Sequence, residues 1–421
     1  MNARHTFMHR PGYAWVIVAA GCLVIFACIG LARFAYGMVL PSMGKGLALG
    51  YDRMGYVSTG NFVGYLLGVA AAPRLLARFG GRRTIGAGLL LIAACMGGIA
   101  LAENFATVFL LYLLTGLGSG LGNVPVMVVV GRWFRRSLRG RATGFMLAGN
   151  SFAIIFAGFL VPRMSELFGA DGWRASWGTL AAVVLAVAVL AYSLLRDSPG
   201  ELGLDPAGPP DSGTPGGSHP AAHPPPGGGR ATLFHLSALY FAFGVTHVIY
   251  TTFLVTSLVA ERNMAEASAG VFWAWVGAFG ILSGPIFGTL SDRFGRRWGL
   301  AAVFAVQTAA YLLVSLGTGK GALFASIGLF GLAAWAVPTI IGAAVADSFT
   351  PERAAGAFSF VTFCLALGQI LGPSIAGNLA QTTHTFSTAF LAASAVTALA
   401  AVGAVAFRPG RNTGPATPTP R

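Results

Sequence analysis

The chain has 421 residues, 55% of them hydrophobic and 10% charged, with a mean hydropathy of +0.71. Soluble domains carry about 25% charged residues, so the charges here are too few to cover a surface in water, and the composition is that of a membrane protein. The formal charge of +14, from 27 Lys+Arg against 13 Asp+Glu, would in a soluble chain point to nucleic acid, and the positions of those charges decide the matter.

Arg4 and Arg10 precede an apolar stretch that begins near Tyr13 and runs past Leu31 without a small-residue cleavage site. It reads as a first membrane span rather than a removable signal. Apolar runs long enough for a ~30 Å hydrocarbon core, roughly 20 residues each, recur near 13–43, 55–76, 84–102, 107–130, 142–162 and 174–195. They resume near 232–258, 268–290, 298–317, 321–346, 354–380 and 385–407. Backbone groups in lipid must be bonded within the protein, and these runs are too long and continuous for barrel strands, so helices are predicted. The fold class is all-α membrane protein, twelve transmembrane helices in two six-helix, pseudo-symmetric halves. An N-terminal half, 1–195, and a C-terminal half, 231–407, are joined by residues 196–230, whose Pro/Gly-rich composition predicts a disordered linker. Residues 408–421 form a tail.

An even number of spans places both termini on one side. That side holds Arg74, Arg78, Arg82, Arg83, the group Arg132, Arg135, Arg136, Arg139 and Arg141, and then Arg293, Arg296, Arg297 and Arg353. The other side holds only Lys45, Arg53, Arg163, Arg174, Arg262 and Lys320. Lys/Arg excess in short loops marks the cytoplasm, so both termini and the linker are expected to be cytoplasmic in a multi-pass protein of the bacterial inner membrane. The positive charge is an orientation signal, and nucleic acid is excluded as a partner. All 13 acids fall in loops or at span ends, and one base, Arg33, is left inside span 1.

No metal or cofactor is expected. His219 and His223 read as linker composition, and Cys22, Cys28, Cys95 and Cys364 as small buried hydrophobes without ligand spacing. No Walker loop, nucleophile or metal constellation is present, which argues against an ATP-driven pump and against an enzyme.

The loop Gly288-Thr-Leu-Ser-Asp292-Arg293-Phe294-Gly295-Arg296-Arg297 has an echo at Pro73-Arg-Leu-Leu-Ala77-Arg78-Phe79-Gly80-Gly-Arg82-Arg83, and Arg141-Ala-Thr-Gly144 echoes in Arg353-Ala-Ala-Gly356. Duplicated halves of this kind place a substrate site at their interface. The twelve spans, the central linker and this loop closely resemble the major facilitator superfamily across essentially the whole chain. The resemblance implies a transporter in which Gly288, Asp292 and Arg293 latch the cytoplasmic helix ends in the outward-open state. The first loop copy departs from the pattern, with Ala77 for the acid and Pro73 for the first glycine, and Tyr112 stands where many members carry a span-4 arginine. Arg33-Phe34-Ala35-Tyr36 with Asn61-Phe-Val-Gly64-Tyr65 looks like a little-characterised bacterial branch. Arg132-Trp133-Phe134 with Arg141-Ala-Thr-Gly144 is similar to monocarboxylate porters, although the span-8 Asp and Arg of those porters are absent here.

A charge in mid-membrane costs about 3 kcal/mol and usually faces a cavity or a partner. Arg33 lies about 12 Å along the helix from Pro41, which is expected to mark the outer end of span 1. Either it snorkels outward or it lines a cavity where, with no acid to pair with, its counter-ion is the substrate. Guanidinium makes forked bonds to carboxylate or phosphate, which points to an organic anion. Arg33 and Tyr36 match His247 and Tyr250 of span 7 through the repeat, and the two pairs are expected to face each other across the pseudo-twofold axis. His247 is the candidate for proton coupling, because its pKa range alone allows proton uptake near neutrality; the alternative is a structural, neutral histidine. Asn61, Tyr65 and Asn123 complete the candidate substrate-binding set, with interhelical bonding as their alternative role.

These readings converge on a secondary transporter, expected to be a monomer, moving a small organic anion such as a monocarboxylate by alternating access, with H+ as a candidate co-substrate. Efflux of hydrophobic or amphipathic compounds is the alternative within transport, and a transporter-like sensor the alternative outside it.

Overall fold

In the computed structural model, residues 11–209, 229–317 and 319–407 are described. Arg4, Arg10, the histidines His219 and His223, most of the expected linker and the tail 408–421 lie outside the described residues.

The apolar runs form helices: α1 Gly12–Gly46, α2 Tyr51–Phe79, α3 Gly81–Ala100, α4 Phe105–Trp133, α5 spanning 136–168, and α6 Gly172–Leu194. The second set is α7 Arg230–Glu261, α8 Glu266–Phe294, α9 Arg296–Leu316, α10 Lys320–Ser348, α11 Pro351–Thr383 and α12 Ser387–Ala406. From Ser137 to Leu194 the apolar chain is helical almost without pause, and the short turn Gly169–Asp171 makes it two crossings. The described residues therefore form an all-α bundle of twelve spans, six on each side of the linker.

Local chemistry explains the helix ends. Asn104 begins α4 by accepting the Thr107 N–H at 3.0 Å, which satisfies one of the amides a helix start leaves open. The two echoed loops turn at Gly80 (φ 81°) and Gly295 (φ 90°), a conformation that a Cβ makes costly. The Phe-Gly repeat is therefore a repeat of backbone shape. Pro41 does not end the first helix: α1 continues through it to Gly46. In a bundle core, neighbouring helices and local winding compensate for the lost backbone bond, so proline marks the end of a membrane helix poorly.

Glycines set the closest approaches. A Cβ on Gly64 or Gly116 would strike the carbonyl groups of Leu113 or Asn61, so α2 and α4 pack backbone to backbone. The two halves meet in the same manner at the end opposite the linker. There Gly55 abuts the Pro373 carbonyl, and Gly377 that of Tyr51. The Tyr51 N–H donates to Gln381 Oε1 (2.8 Å), the Tyr56 hydroxyl to Asn378 Oδ1 (3.0 Å) and the Thr59 hydroxyl to the Ile370 carbonyl (2.7 Å). Ser58 pairs with Thr252 at 3.3 Å. Every hydrogen bond between the halves among the described residues lies in the half of the bundle away from the linker.

Toward the linker end the halves part. Below the contact of Gly277 with Ser151, a crevice of about 700 Å³ opens between α5, α8 and α10, lined by Arg141, Phe145, Asn150, Ile281, Pro285 and Trp335 among others.

The first residues of the expected linker are not free chain. Asp197 accepts from the Gly81 and Arg82 N–H groups (2.9 and 2.6 Å), capping α3. Trp133 donates to the Arg196 carbonyl (2.9 Å), and Ala207 bridges to Phe134 with both backbone bonds at 2.9 Å. Proline-rich composition tells only that the segment cannot fold alone; here it docks on helix ends that already exist.

Candidate functional site

The winding of α1 changes where it carries the charge. Phe26–Phe34 is a π-helical stretch, mostly buried, with Arg33 at its end. Such wider winding inside an α-helix recurs at functional sites. Arg33 closes this stretch, and Tyr36 lies in the α-helical winding that follows it. Tyr36 turns into its own half, where its hydroxyl donates to the Met54 carbonyl (2.8 Å) and its ring stacks on Tyr112 at 4.8 Å.

Arg33 stays at depth rather than snorkelling. Its guanidinium carbon lies 4.3 Å from the Tyr65 ring centroid and 4.5 Å from that of Phe62. These contacts offset part of the cost of burying a cation. Its Nε and Nη2 are buried without a hydrogen-bond partner. Those two nitrogens form one edge of the guanidinium, the side-on fork that takes both oxygens of a carboxylate. No acid supplies the partner: the described ion pairs, Arg163 with Glu166, Arg174 with Asp171, and Arg296 with Asp292 and Asp347, all lie at helix ends.

The surrounding polar groups position the arginine. Tyr112 donates to the Arg33 carbonyl (3.2 Å), Asn61 Nδ2 to the Tyr112 carbonyl (3.1 Å), and Asn123 Nδ2 to the Tyr65 hydroxyl (2.7 Å). Asn61 Oδ1 is buried and unpartnered. The α2–α4 glycine contacts bring these side chains together.

His247 lies at similar height in the other half, 3% exposed, with both ring nitrogens unpartnered. Its ring sits 4.9 Å from Phe243, 5.3 Å from Trp335 and 5.4 Å from Phe330, centroid to centroid. Tyr250 faces into its own half: its hydroxyl pairs with Ser326 (2.9 Å) and its ring stacks on Phe330 at 3.9 Å. Tyr36 and Tyr250 thus mirror each other through the repeat by supporting their halves, and they do not face one another.

Trp335 and Phe34 join the two sides, ring centroids 5.4 Å apart. Trp335 sits where α10 breaks between Ala333 and Ala336, and the Ser283 hydroxyl receives its backbone N–H at 3.0 Å. The same indole lines the crevice. Trp335 therefore stands between the crevice and His247. The sequence offers Trp335 as a substrate cap with packing as the alternative, and gives Phe62 no role. The three-residue spacing from Phe62 to Tyr65 was the available signal, since it puts both rings on one face.

A family model described as "Uncharacterised MFS-type transporter YbfB" matches residues 25–405. The chain belongs to the major facilitator superfamily. Among this transporter's relatives is the hexuronate transporter of Bacillus subtilis (strain 168), 23% identical over 90% of this chain and 90% of that one. Another is monocarboxylate transporter 11 of Mus musculus, 27% identical over 91% of this chain and 85% of that one. Among solved structures, a bacterial homologue of the human lysosomal transporter Spinster, in an inward-facing and occupied conformation, superposes with a TM-score of 0.70. That structure is 16% identical and the match covers 93% of this chain and 94% of that one; it speaks to the fold. These proteins are transporters and not enzymes, and so is this superfamily member.

The expected latch of this transporter lies within its C-terminal half. Arg296 bonds to Asp292 and, at 2.7 Å, to Asp347 at the end of α10. Arg293 lies over the Phe294 ring at 5.6 Å, and a Cβ on Gly288 would reach only Thr339, at 3.9 Å. Among the described residues neither Asp292 nor Arg293 bonds to α11 or to the N-terminal half.

Proposed function

We propose that this transporter moves a small organic anion, most simply a monocarboxylate, by alternating access across the bacterial cytoplasmic membrane. The observation that carries the reading is the Nε–Nη2 edge of Arg33, buried and unpartnered near the junction of the halves in a chain whose acids fall in loops or at span ends. A buried cation without a counter-charge is costly, and an anionic substrate removes that cost. Both sequence relatives carry in their names a class of carboxylate, hexuronate and monocarboxylate, which agrees with this chemistry.

Arg33 grips the anion, Tyr65 and Phe62 hold its guanidinium, Asn61 fixes Tyr112 and Asn123 fixes Tyr65, and His247 takes the co-transported proton. Tyr36 and Tyr250 support the site from behind. The charge distribution makes the linker side cytoplasmic, so the conformation described is open to the cytoplasm. Return to the outward-open state brings the cytoplasmic ends together, where Gly288, Asp292 and Arg293 act as the latch. The protein works as a monomer, the halves 1–195 and 231–407 rocking about the substrate.

The test is a thermal-shift screen of purified protein against carboxylates, amino acids and hydrophobic drugs, repeated on Arg33→Ala. Stabilisation by a carboxylate that Arg33→Ala loses is expected; equal stabilisation of both proteins sinks the role of Arg33. The apolar crevice favours a second reading, efflux of hydrophobic or amphipathic compounds. That reading wins if neutral or cationic drugs stabilise the protein and carboxylates do not.

A further inference from the structure

The polar groups around Arg33 are nearly all committed. The Tyr36 hydroxyl is held by Met54, that of Tyr112 by the Arg33 carbonyl, and that of Tyr250 by Ser326. The amide nitrogens of Asn61 and Asn123 are used on Tyr112 and Tyr65. Buried atoms near Arg33 and His247 without a partner include the Arg33 edge, Asn61 Oδ1 and the two nitrogens of His247. What remains of the surroundings is ring: Phe34, Phe62 and Tyr65 on one side, Phe243, Phe330 and Trp335 on the other.

We infer that the substrate is an aromatic monocarboxylate, its carboxylate on the Nε–Nη2 edge of Arg33 and its ring among the Phe34, Trp335 and His247 rings. This rests on the anion reading above and narrows it to one class. A sugar acid carries a hydroxyl on nearly every carbon. Each hydroxyl buried without a partner weakens binding about tenfold or more, and the nearest walls of this site are mostly rings. A short aliphatic acid satisfies Arg33 but leaves the rings without a mate. A flat aromatic body supplies the offset or edge-on contacts that these rings now make with one another across the interface, Phe34 to Trp335 at 68° and 5.4 Å. The body enters from the crevice, whose inner wall is the same Trp335.

The experiment is calorimetric titration of the purified full-length protein with benzoate, L-lactate, D-glucuronate and benzyl alcohol. It is then repeated with benzoate and L-lactate on Trp335→Leu and with benzoate on Arg33→Lys, which keeps the charge and loses the fork. Benzoate is expected to bind at least tenfold more tightly than L-lactate and D-glucuronate, with no heat from benzyl alcohol. Arg33→Lys is expected to lose at least tenfold in benzoate affinity, and Trp335→Leu to weaken benzoate while leaving L-lactate unchanged. The wild-type ranking does not depend on either variant folding. If D-glucuronate or L-lactate binds as tightly as benzoate, the aromatic assignment fails and the anion reading stands. If benzyl alcohol matches benzoate, the anion reading itself fails. Absence of binding by all four overturns the aromatic assignment.

Discussion

Phe34 and Trp335 touch across the interface between the two six-helix halves, edge to face, with centroids 5.4 Å apart and an interplanar angle of 68°. One ring adjoins the buried arginine in sequence, and the other adjoins the buried histidine in space. A contact of this geometry is worth about 1 kcal/mol beyond the area it buries. A double-mutant cycle with Phe34→Ala, Trp335→Ala and the pair, read by chemical or thermal unfolding, is expected to give a coupling energy of about 1 kcal/mol. Additive effects would mean that the rings are neighbours without interaction.

Arg33 is expected to cost the empty protein stability. Arg33→Met retains the length of the side chain and removes a cation that no acid balances, so the ligand-free variant should unfold at higher temperature, by about 2 kcal/mol in stability. The same variant should no longer accumulate substrate. A lower unfolding temperature would show that the Phe62 and Tyr65 contacts outweigh the burial of the charge.

Closure at the end away from the linker depends on backbone contact. Gly55→Val places methyl groups against the Pro373 carbonyl, where a single Cβ already has no room. Spin labels at positions 52 and 382 are expected to move apart in this variant relative to the parent, as measured by pulsed dipolar spectroscopy, and transport should fall. Tyr56→Phe, which loses only the bond to Asn378, should shift the distance distribution little.

His247 is predicted to set the response to the proton gradient. An imidazole buried among Phe243, Phe330 and Trp335 with both ring nitrogens unpartnered gains a counter-charge when an anionic substrate arrives beside it. In proteoliposomes an inward proton gradient should stimulate anion uptake by the parent protein. His247→Gln should take up the anion without that stimulation, and unchanged stimulation would remove His247 from the coupling.

The twelve spans could be read from the sequence because lipid imposes one rule on every backbone group, and hydropathy reports obedience to it. Arg33 was legible for the same reason, as the base that the loops did not account for. What the sequence withheld was direction. Helical spacing put Arg33 with Tyr36 on one face, yet spacing does not tell that the Tyr36 hydroxyl is spent on the Met54 carbonyl, and nothing in the local composition announces the π-helical stretch Phe26–Phe34. Pro41 misled in a similar way, since a bundle core tolerates a proline that an isolated helix would not. The pairing of Phe34 with Trp335 joins residues far apart in the chain, and no periodicity within one helix can encode it.

The docking of residues 196–209 bears on how the molecule can be cut. Asp197 caps α3 and Ala207 is bonded to Trp133 and Arg135, so these residues belong structurally to the first six helices although their composition assigns them to the connection. Two separately expressed fragments divided after Pro209 would each keep their own helix ends complete. Division after Leu195 would strip the first fragment of the carboxylate that closes α3, and the second would carry Asp197 and Ala207 away from their partners on the other piece.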